Sequence, residues 1–311
     1  MSSFMKPDIS VTFLTKKMSS PLVLASGVLG LTADSMKRVL DAGAGAVTTK
    51  SFSMEARKGH PCPTILPFEN GLLNAVGLSN PGAEEMNKEI SKLRNLSKGL
   101  IFASIFGKTP EEFGRTAALA AESEPDLIEV NVSCPNVESE FGTPFGASFR
   151  DVEAITKIVK HAAGAVPVSI KLTVHCQSLS KMARVCEESG ADAITAINTV
   201  GPGMLIDTGV MKPVLANKVG GVSGPAIFPI ALKAVWEIAG TVKLPVIATG
   251  GVTTTDDALQ MIMAGASLVS IGSAVYYKDL DVFSNINAGL LDWMTERKMK
   301  NLQEIRGKAH E

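Results

Sequence analysis

The residues best suited to chemistry fall in one short stretch, Glu129-Val130-Asn131-Val132-Ser133-Cys134-Pro135-Asn136. A strand runs up to Asn131 and stops, because Pro135 cannot continue a sheet ladder. Cys134 therefore sits on the turn just past the strand end. Asn131 and Asn136 flank the thiol, and each offers a carbonyl acceptor and an NH2 donor, which suits a planar ligand with amide edges. A lone cysteine near a turn is more often buried and inert. Nucleophilic hydrolysis is unsupported, since His60, His161, His175 and His310 fall outside this constellation or in helices and tails. None is placed to deprotonate Cys134, so the thiol suits a general acid/base role. Cys62, Cys134, Cys176 and Cys186 form no C-x-x-C pair, which argues against zinc or an iron–sulfur cluster held by this chain. Cys186 lies in an apolar-periodic helix and reads as core.

The elements that must carry this stretch follow from hydrophobic periodicity. Continuous apolar runs lie at 22–27, 46–50, 99–105, 126–131, 166–172, 192–198, 245–249 and 268–272. Helical patterns lie between them, near 84–97, 110–123, 150–163, 178–190, 227–240 and 255–264. An earlier helix capped by Thr32 or Asp34 places Met36, Val39 and Leu40 on one face. Unbroken Val/Ile/Ala strands alternating with amphipathic helices imply a parallel sheet buried on both faces. The expected fold is an α/β (β/α)8 TIM barrel formed by the whole chain, 1–311, as a single domain. A short N-terminal β-hairpin over 8–24, turning at 16–20, precedes it. Residues 51–81 read as a long active-site loop with little regular pattern.

In such a barrel the site forms where the strands end. Those ends carry Ala25-Ser26-Gly27, Lys50-Ser51, Ser104, Asn131, Lys171, Asn198-Thr199, Thr249-Gly250-Gly251 and Gly272-Ser273. One lysine at a strand end is usually a solvated rim residue. Two lysines, several amides and a thiol converging on one face point to a site. Gly250-Gly251 and Gly272-Ser273 leave backbone N–H groups exposed just before helices, a place for a phosphate. Gly220-Gly221-Val222-Ser223-Gly224 adds to the same cradle in this reading.

Composition narrows the class. Apolar residues are 45%, charged residues 20% and the net charge −1 over 311 residues. No basic excess points to nucleic acid, and no apolar run spans a bilayer. With no apolar signal region at the start, the expected location is cytoplasmic.

Several of these motifs together resemble the class 1 dihydroorotate dehydrogenases, over nearly the whole chain. The most specific match is Asn131-Val132-Ser133-Cys134-Pro135-Asn136. Others are Thr49-Lys50-Ser51, Asn74 to Gly82, Lys171-Leu172-Thr173, Ile197-Asn198-Thr199, Gly220 to Ile227 and Ala248 to Val252. The resemblance implies oxidation of dihydroorotate to orotate on FMN in pyrimidine (UMP) synthesis. It implies Cys134 as the base for the C5 proton while the C6 hydride goes to flavin N5. It further implies that Lys50, Asn74, Asn131, Asn136, Asn198 and Thr199 hold substrate, with backbone from Val76, Gly77 and Leu78. Ala25, Ser26, Lys50, Ser51, Asn131, Lys171 and Ile197 are implied for FMN, with Gly224, Gly250, Gly251, Gly272 and Ser273. Lys171 then offsets negative charge on the reduced flavin.

Asn74 to Gly82 and Gly221 to Pro225 look like class 1B, whose barrel works with a separate FAD and iron–sulfur subunit. The resemblance also implies a homodimeric barrel core. Ser104 and Gly201-Pro202-Gly203-Met204 look more like class 1A, the fumarate-using form, and Val174-His175 departs from the class 1B pattern. A dihydropyrimidine dehydrogenase-like flavoenzyme is the other alternative, disfavoured by asparagine at Asn136. The Gly- and Glu-containing segment 137–147 reads as a lid or an ordinary surface loop.

Overall fold

The computed structural model describes residues 7–132 and 145–311. Eight parallel strands close into a barrel: Leu22–Leu24, Ala46–Thr48, Leu100–Ile105, Leu127–Asn131, Val168–Leu172, Ala193–Ala196, Val246–Thr249 and Leu268–Ile271. Each pairs with the next in sequence, and the eighth pairs with the first. These are the eight apolar runs of the sequence, and helices pack around them as the periodicity implies.

The pleat sorts the strand residues into two sets, because successive side chains point to opposite faces. Outward residues such as Ile101, Ala103, Ile128, Val130, Ile170 and Val269 join the core shared with the helices. Inward residues change character along the barrel axis. At the strand starts Val23, Ala46, Leu100, Phe102, Leu127, Ala193, Ile247 and Leu268 form a separate apolar cluster. Two residues further on, the inward positions are polar: Phe102 gives way to Ser104, Leu127 to Glu129, Ala193 to Thr195, Ile247 to Thr249 and Leu268 to Ser270. All five polar residues are buried.

The apolar end is stoppered by the N-terminal hairpin, Val11–Phe13 against Lys16–Met18. Phe13 and Met18 enter the cluster, and the Phe13 and Phe102 ring centroids lie 6.0 Å apart. Full burial of each such side chain contributes about 1.5–3 kcal/mol. The hairpin turns at Leu14 and Thr15, with Leu14 at φ 52°, and not at 16–20. Lys16 and Lys17 looked like turn residues, but they point outward from a strand whose third residue, Met18, carries the burial.

Among the described residues, five α-helices are capped by a hydroxyl. Thr32, Thr109, Ser148, Ser178 and Thr254 each accept a hydrogen bond from the backbone N–H three residues on. Such a cap is worth about 1 kcal/mol. Thr32, and not Asp34, caps the first.

Residues 51–81 are more regular than the sequence implies. Ile65–Phe68 and Gly71–Asn74 are strands, and they join Val200–Gly203 and Gly220–Ser223 in a four-stranded antiparallel sheet. The sheet brings Asn74 beside the ends of the barrel strands. A two-stranded ribbon, Ile206–Asp207 with Lys212–Pro213, extends from the same region. Among the described residues no helix is long and apolar enough to cross a membrane.

Candidate active site

A cavity opens at the carboxyl ends of the barrel strands, enclosing about 1170 Å³ of space free of protein atoms, the open mouth included. Lys50 and Ser51 enter it from the second strand end, Asn131 from the fourth and Lys171 from the fifth. Ile197, Asn198 and Thr199 line it beyond the sixth. Asn74, Val76, Gly77 and Leu78 cover it from the four-stranded sheet and the loop that follows. That loop is fastened on several sides. Arg57 Nε donates to Gly77 O at 2.7 Å, and Asn80 Nδ2 donates to Leu78 O at 2.9 Å. His60 lies directly beneath it, close enough that a Cβ on Gly77 would stand 2.6 Å from its ring. His60 itself does not line the cavity.

Seven of the polar residues at the strand ends form one connected network. Lys171 Nζ donates to Ser26 Oγ at 2.8 Å and lies 3.5 Å from Glu129 Oε1. The Lys171 and Glu129 side chains are 6% and 4% exposed, so this is a buried ion pair. Losing one member would strand the other's charge in the interior, which costs far more than an exposed pair gains. Ser104 Oγ donates to Glu129 Oε1 at 3.0 Å, and Ser51 and Ser104 share a hydrogen bond of 2.9 Å. Asn131 Nδ2 donates to Ser51 Oγ at 3.3 Å, and Asn198 Nδ2 to Asn131 Oδ1 at 3.2 Å. Asn74 Nδ2 donates to Gly221 O at 3.2 Å, tying the covering sheet together.

The other side of the cavity is built from backbone. Gly250 and Gly251 have φ of 127° and 79°, a run that side chains rarely tolerate and that turns peptide groups toward a ligand. A Cβ on Gly251 would stand 2.7–2.8 Å from Phe228 atoms, so the loop is pressed against the start of the preceding helix, Phe228–Ala239. Ala25, Gly224, Gly272 and Ser273 complete this wall. Gly220 and Gly221 do not line it. A Cβ on Gly221 would stand 2.2 Å from Thr199 Oγ1, so that glycine lets two strands approach, and only Ser223 and Gly224 of the motif reach the cavity.

A model of the family described as "Dihydroorotate dehydrogenase" matches residues 8–294. The chain belongs to that family. It is 42% identical over 296 residues to a protein of Methanosarcina mazei named "Dihydroorotate dehydrogenase B (NAD(+)), catalytic subunit", covering 95% of this chain and 93% of the relative. Proteins of the same name from Methanocaldococcus jannaschii and Pyrococcus horikoshii are 41% identical over 299 residues and 40% over 307. They are covered to 95% and 98% of their lengths, and cover 94% and 98% of this chain.

Dihydroorotate dehydrogenases are FMN enzymes, and the chemistry of this cavity fits the group. A run of glycine backbone N–H groups on one wall suits a phosphate, and a buried lysine deep in the barrel suits an electron-rich ring. The structure also brings apolar residues to the cavity that the sequence did not single out: Val28, Ile65, Leu72, Ile227 and Val252. An apolar residue in a loop, a helical turn or a short strand carries no mark that separates a ligand contact from core. Ser104, counted among the strand-end residues, is wholly buried behind Ser51 and does not line the cavity. Cys134, Asn136 and most of the 137–147 segment lie outside the described residues. Cys186 is buried in the core, and burial pushes its thiol up to about 12.

Proposed function

We propose that the chain is the catalytic subunit of a class 1B dihydroorotate dehydrogenase, oxidising dihydroorotate to orotate in pyrimidine biosynthesis. Electrons leave through a separate subunit carrying FAD and an iron–sulfur cluster. One observation carries the proposal: a single cavity joins two lysines and three asparagines to a glycine-built wall, in a chain of this family. The relatives' shared name, a class B catalytic subunit using NAD, favours the partner route over fumarate.

Bound FMN supplies the acceptor for the hydride leaving C6. Ala25, Ser26, Ser51 and Ile197 would border its ring, and Gly224, Gly250, Gly251, Gly272 and Ser273 would hold its phosphate. Lys171, already oriented by Ser26 and Glu129, would set a fixed positive charge beside the ring, with no reorganisation needed as charge develops. Lys50 meets the substrate carboxylate. Asn74, Asn131, Asn136, Asn198 and Thr199 read the amide edges of the ring, with the backbone of Val76 to Leu78. Cys134 takes the C5 proton. The chain acts as one barrel domain, 1–311, within a homodimeric core in the cytoplasm.

The electron route is tested on the isolated chain, supplied with dihydroorotate and in turn NAD, fumarate and an artificial dye. Dye reduction alone is expected. Efficient NAD reduction by the lone chain would remove the need for a partner, and efficient fumarate reduction would move the protein to class 1A.

A further inference from the structure

The hydrogen bonds linking Thr199 to Glu129 all run in one direction. A carboxylate only accepts, so Ser104 Oγ gives its one proton to Glu129. Ser104 must then accept from Ser51, which fixes the Ser51 proton as well. Ser51, having donated, accepts from Asn131 Nδ2. Asn131 Oδ1 accepts from Asn198 Nδ2, and Asn198 Oδ1 accepts from the Thr199 N–H at 2.7 Å. Every donor in the series points toward Glu129. Neither Glu129 nor Ser104 lines the cavity, while Ser51, Asn131, Asn198 and Thr199 all do.

We infer that Glu129 is a positioning residue: as the terminal acceptor, opposite the donating Thr199 N–H, it holds the Asn131 and Asn198 amides in one orientation, and so holds the edge each offers the substrate. Serine hydroxyls rotate and can donate either way along a chain of hydrogen bonds. An asparagine amide presents nearly the same shape after a half-turn, with donor and acceptor exchanged. Shape alone therefore does not set the orientation of these two amides. The two ends of the series do, because the Thr199 N–H can only donate and the Glu129 carboxylate can only accept. Lys171 holds it in place from the other side, so the same residue serves the ring-facing lysine and the substrate-facing asparagines. A reversed amide would set acceptor against acceptor, leaving a buried polar group unmatched.

This inference rests on the assignment of Asn131 and Asn198 to the substrate. It is tested with Glu129→Gln and Glu129→Met holoenzymes, titrated with orotate and followed by the change in flavin absorbance. Both variants lose the charge beside Lys171 and keep the side chain's length, but only glutamine keeps a strong acceptor for Ser104, methionine's thioether being a weak one. Glu129→Met is expected to bind orotate about five- to tenfold more weakly than Glu129→Gln, the scale of one hydrogen bond. Equal affinities would overturn the inference. A merely structural Glu129 would lower the melting temperature of both variants without separating their orotate affinities. Should Glu129→Met fail to fold, Ser104→Ala breaks the same series with the Glu129–Lys171 pair intact. It should weaken orotate binding to a similar degree relative to wild type, and unchanged affinity would again overturn the inference. A flavin-bound wild type that gives no response to orotate is a different result, which removes the functional assignment itself.

Discussion

The two ends of the barrel interior are made by the same eight strands and do opposite work. At the strand starts the inward residues are apolar and the N-terminal hairpin closes over them, with Phe13 against Phe102. At the strand ends the inward residues are Ser104, Glu129, Asn131, Lys171 and Thr195, buried just as deeply. The lower layer gains stability from area removed from water. The upper layer buries an ion pair and a line of amides and hydroxyls, whose net contribution to stability is small or unfavourable. A step of two residues along one strand, from Phe102 to Ser104 or from Leu127 to Glu129, separates holding the barrel from equipping it.

That division can be broken from either end. The largest effect is expected from Cys134→Ala, which should slow flavin reduction by dihydroorotate by roughly 10²–10⁴-fold, the loss of a general base. Its melting temperature and FMN content should stay near wild type, and near-normal reduction rates would remove Cys134 from the mechanism. Phe102→Ala should do the reverse. The wholly buried ring leaves a cavity in the lower layer, costing about 3–5 kcal/mol in denaturant unfolding. The folded fraction should keep wild-type reduction kinetics, and a changed rate per folded molecule would show the layers to be coupled. The smallest effect sharpens the cofactor wall. A Cβ on Gly272 meets nothing nearer than the Ala25 Cβ at 3.4 Å, so Gly272→Asp can fold with its carboxylate at the cavity. FMN affinity should fall at least about tenfold as two anions compete for one set of N–H groups, a repulsion the enclosed site screens poorly. Unchanged flavin occupancy after dialysis would place the phosphate elsewhere.

The barrel was legible because its strands are buried on both faces and read as unbroken Val/Ile/Ala runs. Its strand ends were legible because Lys50, Asn131, Lys171 and Asn198 interrupt those runs. The four-stranded sheet was not. Its strands are short and carry Gly71, Pro67, Gly201, Pro202, Gly203, Gly220 and Gly221, which read as turns. Its central pair joins Leu73 to Val222, far apart in sequence, and nothing local announces that pairing. Glu129 was visible as a charge inside an apolar strand. Its partnership with Lys171 follows only once the fourth and fifth strands are known to be neighbours with Asn131 opposite Lys171.

We propose that the polar upper layer is a flavin site operating on dihydroorotate. The most direct test is the absorption spectrum of the purified chain, recorded without oxygen before and after dihydroorotate is added. An oxidised flavin spectrum that bleaches on addition of substrate is the predicted result. A colourless protein, or a bound flavin that dihydroorotate leaves oxidised, would contradict it.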